Sequence, residues 1–467
     1  MSTNSHVDSP PGADAITVLD PRDGTVVGTL EPSTPEQVEI ALSLARTVHP
    51  EWAATAPAVR GRHLRSAADA LRAAAPELAE LNARETGRPV EEALAGVHAG
   101  VSALEQYAEL GPVHRGRALR GAVLAADYTV AEPRGVAVLL TPWNDPVAVA
   151  VGLIAAALVT GNTVVHKPSE RCPHLGVRLG EVLSQAFPYG VLITLTGGAE
   201  VGALLTRQSG VDVFAHVGSS ATGERIARVA ALTGTHVLRE NGGNDPLVID
   251  ADVDPVWAAE QAAVGAFANS GQICTAVERI YVHREISGRF AEALVEQARR
   301  RNDTGAFAPL VDTKLREEVH AQVSEAITFG AVRAIGGRIP EGPGAHYPAT
   351  VLLGCTEVMR VMTEETFGPV APVTVVESFE EGLARAAAGR YGLAATVLTG
   401  SIANAQRAVA TLPVGTVKVN AVFGGAPGGS AQPRGISGEG FGYGPELLDE
   451  FTRVKVVHIS SPSARTR

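Results

Sequence analysis

At 467 residues the chain exceeds what one ordinary hydrophobic core organises, so two or three structural units are expected. Hydrophobic residues make up 45% and charged residues 19%, and the formal net charge of −11 contains no block of like charges; a nucleic-acid face and a basic membrane-surface helix are excluded, and work on a small molecule is favoured. Residues 1–15 are expected to be disordered and lack the basic-then-apolar pattern of a secretory signal, and no apolar run reaches membrane-spanning length, so the expected location is the cytoplasm.

From about residue 33 to 110 the chain reads as helices, opened by a capped start at Thr34-Pro35-Glu36 and continued by Ala/Leu/Arg-rich segments of 3.6-type spacing. A β-rich segment from residue 122 breaks at Glu132-Pro133-Arg134-Gly135, which reads as a hairpin-like turn before the apolar run VAVLL. Between 136 and 250, the apolar runs VAVLL, NTVVH, VLITLT, VDVFAHV, HVLRE and PLVID alternate with helical segments, a rhythm of βαβ units on a parallel sheet. A second alternating region spans about 255–444, with helices at 255–269 and 288–301 and strands near 279–283, 371–376 and 394–398. The final FTRVKVVHIS is strand-like, and the polar tail SPSARTR is expected to be disordered.

Three cysteines, Cys172, Cys274 and Cys355, show no CxxC spacing, so neither a metal site nor a disulfide framework is expected. Cys274 stands in FANSGQICTA after a Gly-containing turn, an accessible setting for a nucleophile, although a lone cysteine is more often a small buried apolar residue. Glu240 precedes two glycines in RENGGNDP; alone it reads as a solvated strand-end charge, and the glycines allow close backbone approach to a ligand. In LLTPWNDP, two prolines hold Trp143 and Asn144 in a rigid turn, where the Asn144 amide either satisfies the turn or donates to a developing oxyanion.

Together these segments resemble the aldehyde dehydrogenase superfamily over roughly residues 15–460. TPWNDP, GNTVVHKPSE, HVGSSATG, RENGGNDP, SGQICTA, EETFGPV, YGLAATVLTG, GTVKVN and Ser437-Gly438 follow one another in the family's order. The resemblance implies an α/β fold with a Rossmann-variant cofactor domain (16–120 and 136–246), an α/β catalytic domain (247–444) and a β oligomerisation arm (121–135 and 445–467). It implies Cys274 as nucleophile, Glu240 as general base and Asn144 as oxyanion donor in oxidation of an aldehyde through a thiohemiacetal and a thioester. For the cofactor it implies Thr141, Trp143, Lys167, Ser169, Glu170, Gly218, Ser219, Glu365 and Phe367. A carboxylate at 170 favours the free 2′-hydroxyl of NAD over NADP. A homodimer or homotetramer follows from the arm, whose strand edges would otherwise stay unpaired.

The chain also departs from the family. The lysine and glutamate that form a proton exit route in many members align with Leu153 and Gly442. His216 replaces a usual phenylalanine and is assigned a structural role. The expected substrate pocket, Asp145, Val149, Ile273, Thr275, Ala431 and Arg434 with Gly152 nearby, lacks the family's bulky side chains. Two substrate classes stay open: an acidic or polar aldehyde anchored by Arg434, or an aromatic aldehyde, with Asp145 and Arg434 merely pairing. A CoA-acylating enzyme and a non-catalytic homologue are the alternatives on the same fold, and intact Cys274, Glu240 and Asn144 weigh against both.

Overall fold

The computed structural model describes residues 15–304, 307–424 and 430–460, so nearly all of the two expected disordered ends lies outside the described residues. The first helix, Pro35–Ala54, starts at a reciprocal cap: the Thr34 hydroxyl accepts from the Gln37 N–H at 3.2 Å, and the Gln37 side chain accepts from the Thr34 N–H at 2.9 Å. Helices Pro57–Ala73, Ala75–Thr86 and Val90–Val113 follow, matching the helical reading of this stretch. They pack closely where glycines permit it; a Cβ at Gly61 would stand 2.7 Å from the Ala108 carbonyl oxygen.

Two α/β sheets carry most of the rest. The first has six strands, in the order Gly438–Glu439, His236–Asn241, Val213–Gly218, Val136–Leu140, Thr163–Lys167, Leu192–Thr194. Its five longer strands pair in parallel, and Gly438–Glu439 closes one edge antiparallel. Val136–Leu140 and Thr163–Lys167 are buried along their whole length, as strands covered by helices on both faces must be. The second sheet has seven strands, in the order Val332–Ile335, Thr350–Leu353, Val370–Val376, Val277–His283, Asp245–Ile249, Ala394–Leu398, Thr416–Val419. Separate apolar clusters line its two faces.

Two details correct the sequence reading. The run PLVID does not belong with the first alternating region: the chain leaves the six-stranded sheet after Asn241 and enters the seven-stranded one at Asp245. Nor does the turn at 132–135 close a hairpin. Ala125–Pro133 pairs antiparallel with Thr452–Ser460 and with Ala118–Leu119 in a separate three-stranded sheet, while Val136–Leu140 joins the six-stranded one. Proline and glycine here switch the chain between sheets instead of folding it back. Among the described residues, no helix is long and apolar enough to cross a membrane.

Candidate active site

The passage from Asn241 to Asp245 between the sheets adjoins two of the expected catalytic residues: Glu240 precedes it, and a Cβ at Gly243 would stand 2.7 Å from the Cys274 carbonyl oxygen. Cys274 is delivered by a strained turn. After helix Pro255–Phe267, residues Asn269, Ser270 and Gly271 all take left-handed conformations, with φ of 46°, 54° and 75°. Gly271 is required: a Cβ there would stand 2.1 Å from the Gly368 carbonyl oxygen. The turn is pinned by the Ser270 hydroxyl, which donates to the Ala308 carbonyl at 2.5 Å, and by buried Gln272. The Gln272 side chain donates to Asn269 O at 3.0 Å and Pro309 O at 3.3 Å and accepts from Val311 N–H at 2.9 Å. Cys274 emerges half-buried, with Ile273 and Thr275 half-buried on either side, whereas Cys172 and Cys355 are 0% and 1% exposed. Burial raises the Cys274 thiol, Glu240, Asp245 and Glu365 raise it further, and Lys418 opposes them.

Glu240 sits near the end of strand His236–Asn241, one residue before it passes between the sheets. Its carboxylate lies against Gly442, where a Cβ would stand 2.2 Å from Oε2, so the glycine at this position makes room for it. Burial pushes the carboxyl above its usual range, which suits a base that takes a proton near neutral pH. Leu153 is buried in the core at 1% exposure, part of the apolar body between the helices and the six-stranded sheet.

Asn144 turns its amide towards the cysteine turn, donating from Nδ2 to the Gln272 carbonyl at 3.1 Å. Beside it, Trp143 packs edge-on against Phe367 with centroids 5.5 Å apart, and the Arg171 guanidinium lies 5.2 Å from the Trp143 centroid. Phe367 is itself held at a φ of 53°, its N–H donating to the buried Glu278 carboxylate at 2.8 Å. Asp145 does not pair with Arg434. It accepts from Arg88 at 3.0 Å, and Arg88 also donates to the Asn144 carbonyl at 3.2 Å. Arg434 is exposed, on a short ladder against Tyr391–Gly392. Val149 and Ala431 are half-buried, and a Cβ at Gly152 would meet nothing within 4 Å.

The expected cofactor residues Thr141, Trp143, Lys167, Ser169, Glu170, Gly218 and Ser219 lie at or just after strand ends of the six-stranded sheet, whereas Glu365 and Phe367 come from the segment before Val370–Val376 of the seven-stranded one. Lys167 is buried, donating to Pro168 O at 2.8 Å and Gly197 O at 2.7 Å, with Glu170 at 3.7 Å. The Thr141 hydroxyl hydrogen-bonds buried His166 at 2.8 Å, and the Ser169 hydroxyl accepts from the Arg171 N–H at 3.2 Å. Ser219, after Gly218, caps helix Ser220–Thr233 and accepts from the Thr222 N–H at 3.4 Å, so the free N–H groups of a 14-residue helix open beside it. His216 is buried and hydrogen-bonds Asn241 at 3.3 Å, which fits a structural role. Glu365 is turned inward: its carboxylate accepts from the Gly243 N–H at 3.2 Å and occupies the space a Cβ at Gly242 would need.

Sequence reasoning passed over Arg88, Asp245, Gln272, Glu278 and Lys418. The available signal was charge in apolar company: Asp245 opens the buried strand DPLVI and Lys418 interrupts TVKV.

The profile of the Aldehyde dehydrogenase family matches residues 7–457. A betaine aldehyde dehydrogenase from Cereibacter sphaeroides is 36% identical over 462 residues, covering 95% of this chain and 93% of its own. The betaine aldehyde dehydrogenase of Staphylococcus aureus in complex with NAD+ superposes with a TM-score of 0.93 at 29% identity, over 97% of this chain and 93% of that one. Lactaldehyde dehydrogenase from Escherichia coli gives a TM-score of 0.93 at 30% identity, over 96% of both chains. The chain therefore belongs to the aldehyde dehydrogenase family.

Proposed function

We propose that this protein oxidises an aldehyde to its carboxylate with NAD, using Cys274 as nucleophile, Asn144 as oxyanion donor and Glu240 as base. The observation that carries this is the convergence of a half-buried thiol on a strained turn, an amide hydrogen-bonded to that same turn, and a burial-raised carboxyl. The Cys274 sulfur adds to the aldehyde carbon, and the oxygen that gains charge takes the second N–H of Asn144 Nδ2 and the Cys274 backbone N–H. NAD, when bound, supplies the hydride acceptor that turns the thiohemiacetal into a thioester. Glu240 then deprotonates the water that releases the acid.

The residues present suit the dinucleotide. The N-terminus of helix Ser220–Thr233 favours a pyrophosphate, and the buried Ser220 hydroxyl has no hydrogen-bond partner there among the described residues. Lys167 and Glu170 offer a donor and an acceptor to a ribose, and Glu170 disfavours a 2′-phosphate. We assign Trp143, Phe367 and Glu365 to the nicotinamide end, Glu365 on condition that it swings off Gly243. We further assign the six-stranded sheet with its helices to cofactor binding, the seven-stranded sheet to catalysis and the three-stranded sheet to oligomerisation.

For the substrate we favour an uncharged aldehyde with a bulky, aromatic-sized group. Gly152 leaves open space, Asp145 has its charge met by Arg88, and Arg434 is exposed on its ladder. NADH absorbance over a panel of aromatic, acidic and quaternary-ammonium aldehydes, with and without CoA, tests the reading. CoA-independent turnover that Cys274→Ala abolishes, highest on aromatic aldehydes, is the expected result. Strict dependence on CoA, or turnover surviving Cys274→Ala, overturns the mechanism; preference for an acidic aldehyde overturns the substrate assignment.

A further inference from the structure

Strand Val277–His283 begins with an irregularity. Asp245 pairs with Val277 and Pro246 with Arg279, so Glu278, four residues after Cys274, is passed over in the ladder and stands as the extra residue of a bulge. A bulge re-aims the side chain it carries. Here it turns a carboxylate into the protein, where Glu278 is 4% exposed.

The buried carboxylate takes its partners from two other segments. Its Oε1 accepts from the Phe367 N–H at 2.8 Å, its Oε2 from Asn244 Nδ2 at 3.1 Å, and the Thr366 N–H lies 3.1 and 3.0 Å from the two oxygens. These donors and the neighbouring Arg279 favour the charged form, against burial. Other side chains meet the rest of the segment. Asn244 Nδ2 also donates to the Glu364 carbonyl at 3.1 Å, and the Tyr391 hydroxyl accepts from the Glu365 N–H at 3.2 Å. Gln322 donates to the Glu365 carbonyl at 3.0 Å and accepts from the Thr366 hydroxyl at 3.0 Å. Just beyond, the Gly368 carbonyl oxygen would stand 2.1 Å from a Cβ at Gly271, so the segment abuts the cysteine turn. The Glu365 carboxylate, by contrast, accepts from the Gly243 N–H at 3.2 Å, a long bond that a ribose hydroxyl can replace.

We infer that Glu278 is a positioning residue for the dinucleotide: it holds the backbone of segment 364–367 against the cysteine turn, so that Glu365 and Phe367 are in place before NAD binds. The inference rests on the assignment of those two residues to the nicotinamide end. The backbone is fixed while the Glu365 side chain stays free to exchange partners, which spares NAD the entropy of ordering a loop. Phe367 needs such a hold, because a non-glycine residue at a φ of 53° is strained unless its surroundings impose the conformation. Glutamine cannot replace the carboxylate. It offers one acceptor oxygen where two are used, and its NH2 would face an N–H donor.

The test combines amide hydrogen exchange of the full-length protein without NAD, read on peptides covering 364–367, with calorimetric titration of NAD. In the wild type the Thr366 and Phe367 amides should exchange slowly before NAD is added. Glu278→Gln should speed them at least about tenfold while peptides elsewhere in the seven-stranded sheet keep their rates. It should also weaken NAD binding about tenfold, as loss of hydrogen bonds to a charged group would, with the Michaelis constant for the aldehyde unchanged. Fast exchange of these amides in the wild type overturns the inference. So does unchanged exchange or unchanged NAD affinity in Glu278→Gln, or a uniform loosening of the whole sheet. If Glu278→Gln does not fold, Glu278→Asp, which withdraws the charge by one methylene, is held to the same expectations, and the wild-type exchange decides should neither fold. Glu365→Gln and Phe367→Ala are titrated alongside. If both bind NAD as the wild type does, the nicotinamide assignment fails; if they bind more weakly and Glu278→Gln does not, only the role of Glu278 fails.

Discussion

Gly442 shows how one residue reads differently in sequence and in structure. In sequence it marks a missing acidic partner for Glu240. In the fold it is a void that the Glu240 carboxylate fills, with Oε2 2.2 Å from where a Cβ would be. The atom displaced by such a Cβ is the end of a flexible side chain, so Gly442→Ala should fold normally while moving the base. We expect thermal stability within about 1 kcal/mol of wild type and a fall in kcat of at least tenfold, the scale of a misplaced general base. A single-turnover hydride burst should be preserved. Stopped-flow absorbance checks this, and an unchanged kcat would show that Glu240 has room elsewhere. The proposed catalytic residues Cys274, Glu240 and Asn144 could be singled out in the sequence because each stands in a short local motif. Arg88 was not, because it matters through a partner distant in sequence, Asp145.

The cysteine turn shows the limits of periodicity at the scale of the element. FANSGQICTA was recognisable as a glycine-containing turn after a helix, but not that Asn269 and Ser270 share the left-handed conformation of Gly271. That strain is maintained by Gln272 and Ser270, which tie the turn to the segment 308–311. Gly271→Ala would combine an unfavourable φ of 75° with a 2.1 Å approach to the rigid Gly368 carbonyl. We predict a loss of about 1–3 kcal/mol in stability, the usual cost of strain and overpacking, and a still larger proportional loss of kcat, because the turn aims the sulfur. Thermal unfolding and steady-state kinetics on one preparation test this; a variant that keeps both would mean the turn relaxes freely. The strands themselves were legible from apolar runs, whereas their sheet membership was not. PLVID and the strand before residue 134 have local patterns compatible with either neighbour, and pairing is decided by distant segments such as Thr452–Ser460.

At the scale of the whole molecule, exposed apolar side chains gather around the three-stranded sheet. Around the three-stranded sheet, Val123, Leu124, Val454 and Val456 are 99%, 82%, 71% and 68% exposed, a concentration of apolar surface that an isolated soluble chain rarely carries. We predict a homo-oligomer formed through this surface: light scattering should give a dimer or tetramer at micromolar concentration, and Val454→Asp with Val456→Asp should shift it towards monomer. A monomeric wild type would remove the arm from the account. The catalytic assignment is tested most directly by mixing Glu240→Gln with NAD and a turned-over aldehyde and following NADH in a stopped-flow cell, with intact-protein mass as a second readout. The account predicts a burst of about one NADH per active site, then a stall with one acyl group on Cys274, because hydride transfer precedes the step that needs the base. Steady turnover at the wild-type rate with no acyl adduct would contradict it.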